Sequence, residues 1–569
     1  MGALCLLALS LFFRLSWPKF RPTEHWIWPV LAIALPFCAG GFHTGTTAVL
    51  CLVLAAALLE QIFASGNLRI LWNLPFLALL AVFAAYCITP LWAADQGMAL
   101  FAIPRYLPAV LFALLLMQQK ELPDQILNRI PLSGCAMTLL SLLLLPFFPE
   151  DFTVNGRLAG FFQYPNAFAA FLLVGLIWQN FRDQKWNLPI SLLLITGIVL
   201  SGSRTVFVLM ILSLAGLFLI RRQKKLLLLL PGLLCALGIG LLAQKFGLLA
   251  QADRFTQIDA QAGTFLVRLL YYRDVLPVIG THPFGIGYLG YPAIEGTIQT
   301  GRYAVTYLHN GLLQLFLEIG WIPSLPLAFV LLKTLFSRNT APNKRLMLLA
   351  ILGHCMLDFD LQFAAFWILL LCAMDFSAGK VKILPSKKLP AAILAILAAV
   401  SLWLGSGDWL FRQGKVDACL ALTPFHTDAM AAKLTTLKDP DELDALADQI
   451  LSLQPTHSLS YSAKANAALA KGDVRSMIRH KEESIRLSPY AAAEYLDYFQ
   501  KLYWAMGQFL NMGDSESASL CREKLLQIPD MMEAVSQGTS PLAWKTGDDP
   551  TLELPEEYQQ ILNILLHAF

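Results

Sequence analysis

The residues able to do chemistry are few, and they fall at the ends of apolar runs. Four arginines, Arg157, Arg204, Arg268 and Arg273, lie in connections that the basic-residue pattern assigns to one face of a membrane, the face poor in lysine; Arg105 sits about two turns inside a neighbouring run. Guanidinium groups converging on one face suit a diphosphate, because the planar fork grips phosphate oxygens in pairs and never loses its charge. Taken singly, each is equally an arginine snorkelling to a lipid headgroup. His309 stands where another apolar run begins, in Thr306-Tyr307-Leu308-His309-Asn310-Gly311, and an imidazole there can accept a proton near neutral pH. Glu318 falls off the helical face of His309 and reads as a packing or pairing residue.

Two apparent motifs carry less. Gly285-Ile286-Gly287-Tyr288-Leu289-Gly290 matches a dinucleotide fingerprint but follows no βαβ strand, so its glycines read as a tight loop over the membrane surface. Asp358-Phe359-Asp360 has the form of a metal-binding Asp-x-Asp, yet it occupies a short turn and has no obvious further ligand, and no metal site is expected.

The elements that must position these residues are membrane helices. Of 569 residues, 57% are apolar and 14% charged, with a mean hydropathy of +0.58, far from the roughly 25% charged residues of soluble domains. Up to about residue 406 the chain breaks into some 12 to 14 apolar runs near the roughly 20 residues a spanning helix needs: 1–16, 26–41, 43–63, 70–91, 99–117, 131–148, 159–178, 187–202, 204–220, 226–246, 308–336, 345–357, 360–377 and 389–406. Alternate connections carry Lys19/Arg21, Lys120/Arg129, Arg182/Lys185, Arg221 to Lys225, Arg338/Lys344/Arg345 and Lys380/Lys382/Lys387/Lys388, and these belong inside. The long connection at about 247–307 and everything after 406 then lie outside. A net charge of +3 gives no footprint for nucleic acid. Eight of the ten cysteines sit in apolar runs as small hydrophobes, and Cys419 and Cys521 are free to pair outside the cell.

The tail from 407 to 569 turns rich in Ala, Leu, Asp, Glu and Lys at helical spacing. Leu422-Thr423-Pro424, Leu453-Gln454-Pro455, Leu487-Ser488-Pro489 and Gln527-Ile528-Pro529 recur at intervals of 31, 34 and 40 residues, each Pro closing a helix. The middle interval is that of tetratricopeptide repeats, with Gly472-Asp473 at the turn between paired helices; a plain helical bundle is the alternative. The expected fold is thus all-α, a polytopic membrane bundle (1–406) followed by a soluble helical-repeat domain (407–569).

In order along the chain, Gly156-Arg157...Pro165-Asn166, Gly202-Ser203-Arg204, Arg268...Pro283-Phe284-Gly285-Ile286-Gly287, His309-Asn310...Glu318-Ile319-Gly320 and His354...Asp358 make residues 70 to 375 resemble the O-antigen ligase and polymerase superfamily. That superfamily includes lipopolysaccharide ligases, Wzy-type polymerases and bacterial protein O-oligosaccharyltransferases. The resemblance implies a GT-C-like bundle that transfers a glycan, with inversion, from undecaprenyl diphosphate to an acceptor hydroxyl outside the cytoplasmic membrane, with no metal or other cofactor. It implies that Arg204 and Arg268 clamp the diphosphate and that His309 orients or deprotonates the acceptor. Arg157, Asn166 and Asn310 become substrate contacts, with Arg105 and Arg273 added by position only. The large tail departs from most lipopolysaccharide ligases, so the acceptor stays open among glycan, lipid and protein, and the tail is free to recruit a protein partner. A lipid-linked glycan flippase or other transporter would need charged or broken helices near the bilayer midplane; a membrane-tethered scaffold would leave the arginines and His309 without a role.

Overall fold

The computed structural model describes residues 26–182, 186–245, 247, 263–376, 379–384, 388–547 and 549–567. The first apolar run, with Lys19, Arg21, Lys185, Lys387 and the stretch 248–262, lies outside the described residues. Helix makes up 76% and strand 3% of the structure, which places the chain in the all-α class. The membrane region comprises α1 (Ile27–Phe37), α2 (Thr44–Ser65), α3 (Leu74–Ile88), α4 (Ala102–Gln118), α5 (Leu122–Leu127), α6 (Ile130–Leu144), α7 (Pro165–Asn180), α8 (Asn187–Leu200) and α9 (Arg204–Arg221). It continues through α10 (Leu229–Lys245), α11 (Gly263–Thr281), α12 (Gly290–Ile298), α13 (Gly311–Ile319), α14 (Trp321–Phe336), α15 (Pro342–Cys355), α16 (Ala364–Ala373) and α17 (Lys388–Arg412).

Among the described residues, seven helical segments are long and apolar enough to cross a membrane, and four shorter apolar helices accompany them. The expected dozen or more spans are therefore only partly met by length, because several runs are interrupted. The run 159–178 becomes helical only at Pro165; before it come a hairpin of β2 (Thr153–Val154) with β3 (Arg157–Leu158) and a short 3-10 turn at Gly160–Phe162. The long connection at 247–307 is no open loop where it is described, since α11 and α12 lie within it.

From Ala167 to Asn180, α7 is buried on every side, the signature of a core helix. It packs against α6, α8, α9 and α15, so the residues at its first turn are held by the middle of the bundle. At one end of the bundle, β1 (Leu68–Trp72) pairs antiparallel with β4 (Lys380–Leu384), Leu68 opposite Leu384. The ladder holds Arg69 together with Lys380 and Lys382 at that end.

The run 308–336 is two helices, not one. Gly320 has φ 87° and ψ 158°, a conformation that glycine alone adopts readily. Pro283–Gly287 wedges into the break: the Ile286 and Gly287 amides donate to the Leu317 and Glu318 carbonyls, each at 2.9 Å. A Cβ on Gly320 would lie 2.0 Å from the Pro283 carbonyl oxygen. Gly320→Ala is therefore expected to cost at least about 1–3 kcal/mol from backbone strain alone, read as a lowered midpoint of thermal unfolding; an unchanged midpoint would contradict this account of the break.

The tail folds as α18 (Val416–Leu422), α19 (Thr427–Leu434), α20 (Pro440–Leu453), α21 (Ser458–Ala470), α22 (Val474–Leu487), α23 (Ala492–Met512), α24 (Ser515–Gly538) and α25 (Glu556–His567). Leu422, Leu453 and Leu487 end helices as the sequence predicts, and Asp473 caps α22 through the Ser476 amide. Pro529 does not close a helix; it lies inside α24, so the fourth repeat mark is not a boundary. Cys419 and Cys521 are both free and buried. They sit in separate parts of the tail, Cys521 in the core of α22 to α25 and Cys419 beside Thr423 at 3.5 Å, so the disulfide expected as an option does not form.

Candidate active site

His309, Arg268, Asn310 and Asn166 converge on one turn, Met356–Gln362, between α15 and α16. His309 ends the loop leading into α13, and Asn310 caps that helix by accepting from the Leu312 and Leu313 amides while its Nδ2 donates to the Met356 carbonyl at 3.0 Å. Arg268, on α11, donates from Nη1 to the Leu357 carbonyl at 2.9 Å and brings Nη2 within 3.4 Å of His309 Nδ1. The same Nδ1 lies 3.3 Å from Asp358 Oδ1. Tyr272 OH donates to the His309 carbonyl.

Asp358 is the hub. Tyr164 OH donates to its two oxygens at 2.8 and 3.0 Å, and Asn166 Nδ2 donates to Oδ2 at 2.7 Å. Burial alone would raise this carboxyl, but the hydrogen bond and charge of His309, with His354 and Arg268, hold it below the usual carboxylate range. It is thus a well-satisfied anion, suited to orienting an imidazole more than to taking a proton. The second acid of the Asp-x-Asp turns the other way, Asp360 Oδ2 lying 2.5 Å from His354 Nδ1. The two carboxylates face separate histidines, His309 and His354.

A depressed folded-state value has a sign. Asp358 contributes stability above its unfolded value of about 3.9, and that contribution is lost as pH falls from there through its lower folded value. Native protein is expected to lose unfolding temperature below about pH 4 more steeply than Asp358→Asn, which starts lower. Parallel acid profiles of the two would show that Asp358 is not held as this anion.

Arg157 links the hub to the turn that precedes Arg204. Its Nη2 donates to Asn166 Oδ1 at 2.6 Å and its Nε to the Ser201 carbonyl at 2.8 Å. Ser201-Gly202-Ser203 is the turn that leads into α9, whose first residue is the half-buried Arg204. Aromatic rings wall the site: Phe359 lies 5.1 Å from His309, 4.8 Å from Tyr164 and 5.5 Å from Tyr307, centroid to centroid. The His309 side chain keeps 22% of its surface exposed against 2% for Asp358, so of this pair only the imidazole can meet a substrate.

Two of the candidates part from this cluster. Arg105 reaches the far end of the same turn, donating to the Gln362 carbonyl at 2.6 Å, but it is buried, with Phe42 and Tyr288 each 5.4 Å from its guanidinium. Arg273 follows Arg268 by five residues, about 140° round the helix, and donates to Ser540 in the tail at 3.0 Å. Glu318 does pair, accepting from Tyr86 OH at 2.5 Å, Gln314 Nε2 at 2.7 Å and Tyr106 OH at 3.2 Å. Tyr164 and Tyr272 were missed as site residues in the sequence, and Asp358 was weighed as a metal ligand and as part of the His354...Asp358 motif but given no role at the site. An acid in a turn with no basic neighbour in sequence was the available signal.

No curated protein matches the chain. The family model described as O-antigen ligase matches residues 189–325, a segment that holds Arg204, Arg268, His309, Asn310 and Glu318 and runs into the site just described. The match supports the O-antigen ligase superfamily and, with it, a multi-pass membrane protein whose function is of the glycan ligase or polymerase type.

Proposed function

We propose that the protein transfers a glycan from a polyprenyl diphosphate, undecaprenyl diphosphate in a bacterium, to an acceptor hydroxyl at the membrane face that carries His309. The observation that carries this reading is the partly exposed His309, its Nδ1 3.3 Å from a buried carboxylate and 3.4 Å from a guanidinium. With Asp358 accepting from Nδ1–H, the Nε2 lone pair faces outward to take the proton of the acceptor hydroxyl. The acceptor oxygen then bonds to the anomeric carbon from the side opposite the diphosphate, the carbon–oxygen bond to the diphosphate breaks, and the configuration inverts. The departing diphosphate is stable as an anion, and Arg268, beside His309, is proposed to stabilise it together with Arg204 at the start of α9. Arg157 positions Arg204 by holding its turn, and Asn166 positions Asp358. No step calls on a metal or a nucleotide.

The face is proposed to be extracytoplasmic, from the lysine and arginine pattern, and the tail to be a tetratricopeptide-like surface that receives the acceptor or a partner protein. A transporter would use the broken α13–α14 pair as a path. The cavity beside Glu318 there holds about 10 Å³, far too little for a sugar. The deciding experiment is transfer of a purified undecaprenyl-diphosphate-linked glycan in detergent with EDTA present, offered lipid, glycan and protein acceptors. Product is expected with one of them. No product with any acceptor, alongside flipping of the same lipid in vesicles, would move the assignment to transport.

A further inference from the structure

A second cavity opens beside the His309 cluster, where α2 begins and α17 ends. His43, Thr46, Asp408, Trp409, Arg412 and Gln413 form its polar and aromatic walls, and it holds about 500 Å³, within the roughly 300–1,000 Å³ of small-molecule sites. It shares no residue with the His309 cluster, yet only aromatic rings divide the two. Phe42 lies 5.5 Å from His43 on one side and 6.0 Å from Tyr307 and 6.4 Å from Phe359 on the other, and Phe359 lies 5.1 Å from His309. A polar link runs alongside. His43 Nε2 meets Gln163 Oε1 at 3.4 Å, and the next residue, Tyr164, donates to Asp358. Gln163 has φ 57°, a left-handed conformation that a residue with a side chain keeps only where its surroundings fix it.

The spacing of the walls is set by backbone contact. A Cβ on Gly405 would lie 2.3 Å from Ala48 Cβ, and one on Gly45 would lie 3.6 Å from the Gly405 carbonyl oxygen, so α2 and α17 meet with almost nothing between them. Asp408, 5% exposed, accepts from Arg412 Nε at 2.9 Å through Oδ2. Among the described residues none donates to Asp408 Oδ1, and none pairs with the Gln413 side-chain amide or the Trp409 indole N–H. Trp409 is 51% exposed, with Lys415 Nζ 6.0 Å from its ring centre.

The charges decide the class of ligand. Among the lining residues the Asp408 carboxylate and the Arg412 guanidinium balance, which leaves no surplus cation for a diphosphate. The same pair suits neighbouring hydroxyls, because each hydroxyl both donates and accepts and the wall offers Arg412 donors beside Asp408 and Gln413 acceptors. The negative face of the indole attracts the C–H bonds on the flat side of a sugar ring. We propose, resting on the glycan-transfer reading above, that this cavity holds a sugar residue of the transferred or the receiving glycan. Trp409 is its platform, and Asp408, Arg412 and Gln413 are its hydroxyl contacts.

The test uses the full-length protein in a detergent without a sugar headgroup. Two probes are titrated by calorimetry, which does not require transfer: the oligosaccharide released by mild acid from the undecaprenyl-diphosphate-linked glycan, and the acceptor that yields product. The native protein is expected to bind one of them saturably. Trp409→Ala and Asp408→Asn should each weaken that binding by about tenfold or more, the scale of a lost stacking contact or charge-assisted hydrogen bond. Trp504→Ala, which removes a similarly exposed indole in the tail, should leave it unchanged. Because Trp409 is exposed, its removal tests the site even where Asp408→Asn fails to fold. In transfer, a KM raised for the lipid-linked donor alone assigns the donor glycan, and one raised for the acceptor alone assigns the receiving glycan. Binding weakened in the variants while native protein transfers nothing would sustain the sugar site and sink the transfer reading. Binding equal in native and substituted proteins, or absent from the native one, with KM unchanged for both substrates, would overturn the site and leave transfer standing; an indole that only anchors α17 at the membrane surface gives that result. Neither binding nor transfer by the native protein would sink both.

Discussion

Transfer by His309→Ala is expected to fall by about 10²- to 10⁴-fold, the span that a positioned general base contributes. The drop should appear in kcat with KM little changed, because Nε2 acts on the hydroxyl proton as it leaves and holds little of the bound ground state. His309→Gln is the sharper comparison. It preserves a polar side chain beside Asp358 but cannot take a proton at neutral pH, so it should be as inactive as the alanine variant. If His309→Gln retained most of the native rate at native-like unfolding temperature, the imidazole would not be the base, and the hydroxyl would be activated by something else in the aromatic-walled site.

The second large effect belongs to Arg268, which stands between the turn and the imidazole, with one nitrogen on the Leu357 carbonyl and the other near His309. Arg268→Lys keeps a positive charge yet loses the planar fork, so it cannot hold the Leu357 carbonyl and a phosphate oxygen at once. Transfer is expected to drop by about 10²-fold or more, the scale of removing one preorganised donor from a developing anion, and Arg268→Ala should be lower still. A donor with a better leaving group than diphosphate should recover part of the loss in both variants. Near-native transfer by Arg268→Lys would leave the arginine a structural tie to the turn only.

How much of this was legible in the sequence follows from the range of each interaction. Helices are local, so the apolar runs and the helix ends at Leu422, Leu453 and Leu487 could be read directly. His309, Arg268 and Arg157 were legible as polar residues at apolar boundaries. Asp358 was not, because its role depends on three distant segments meeting it: Tyr164 and Asn166 at the start of α7, His309 before α13 and Arg268 on α11. By position alone Arg268 and Arg273 looked equivalent, and only the resemblance separated them; the helix α11 sets them on different sides. Pro529 misled because a recurring proline marks a boundary only where the helix stops, and α24 continues through it.

The pairing of β1 with β4 also sets an order of events during synthesis. Leu68–Trp72 emerges early, but its partner Lys380–Leu384 is made some 300 residues later, on the order of 15–60 s at ribosomal speeds of roughly 5–20 residues per second. For that interval the early strand offers an unsatisfied edge. The ladder can close only after the chain between the two strands has been made, so it acts as a late clasp, and a nascent chain stalled before residue 380 would lack it.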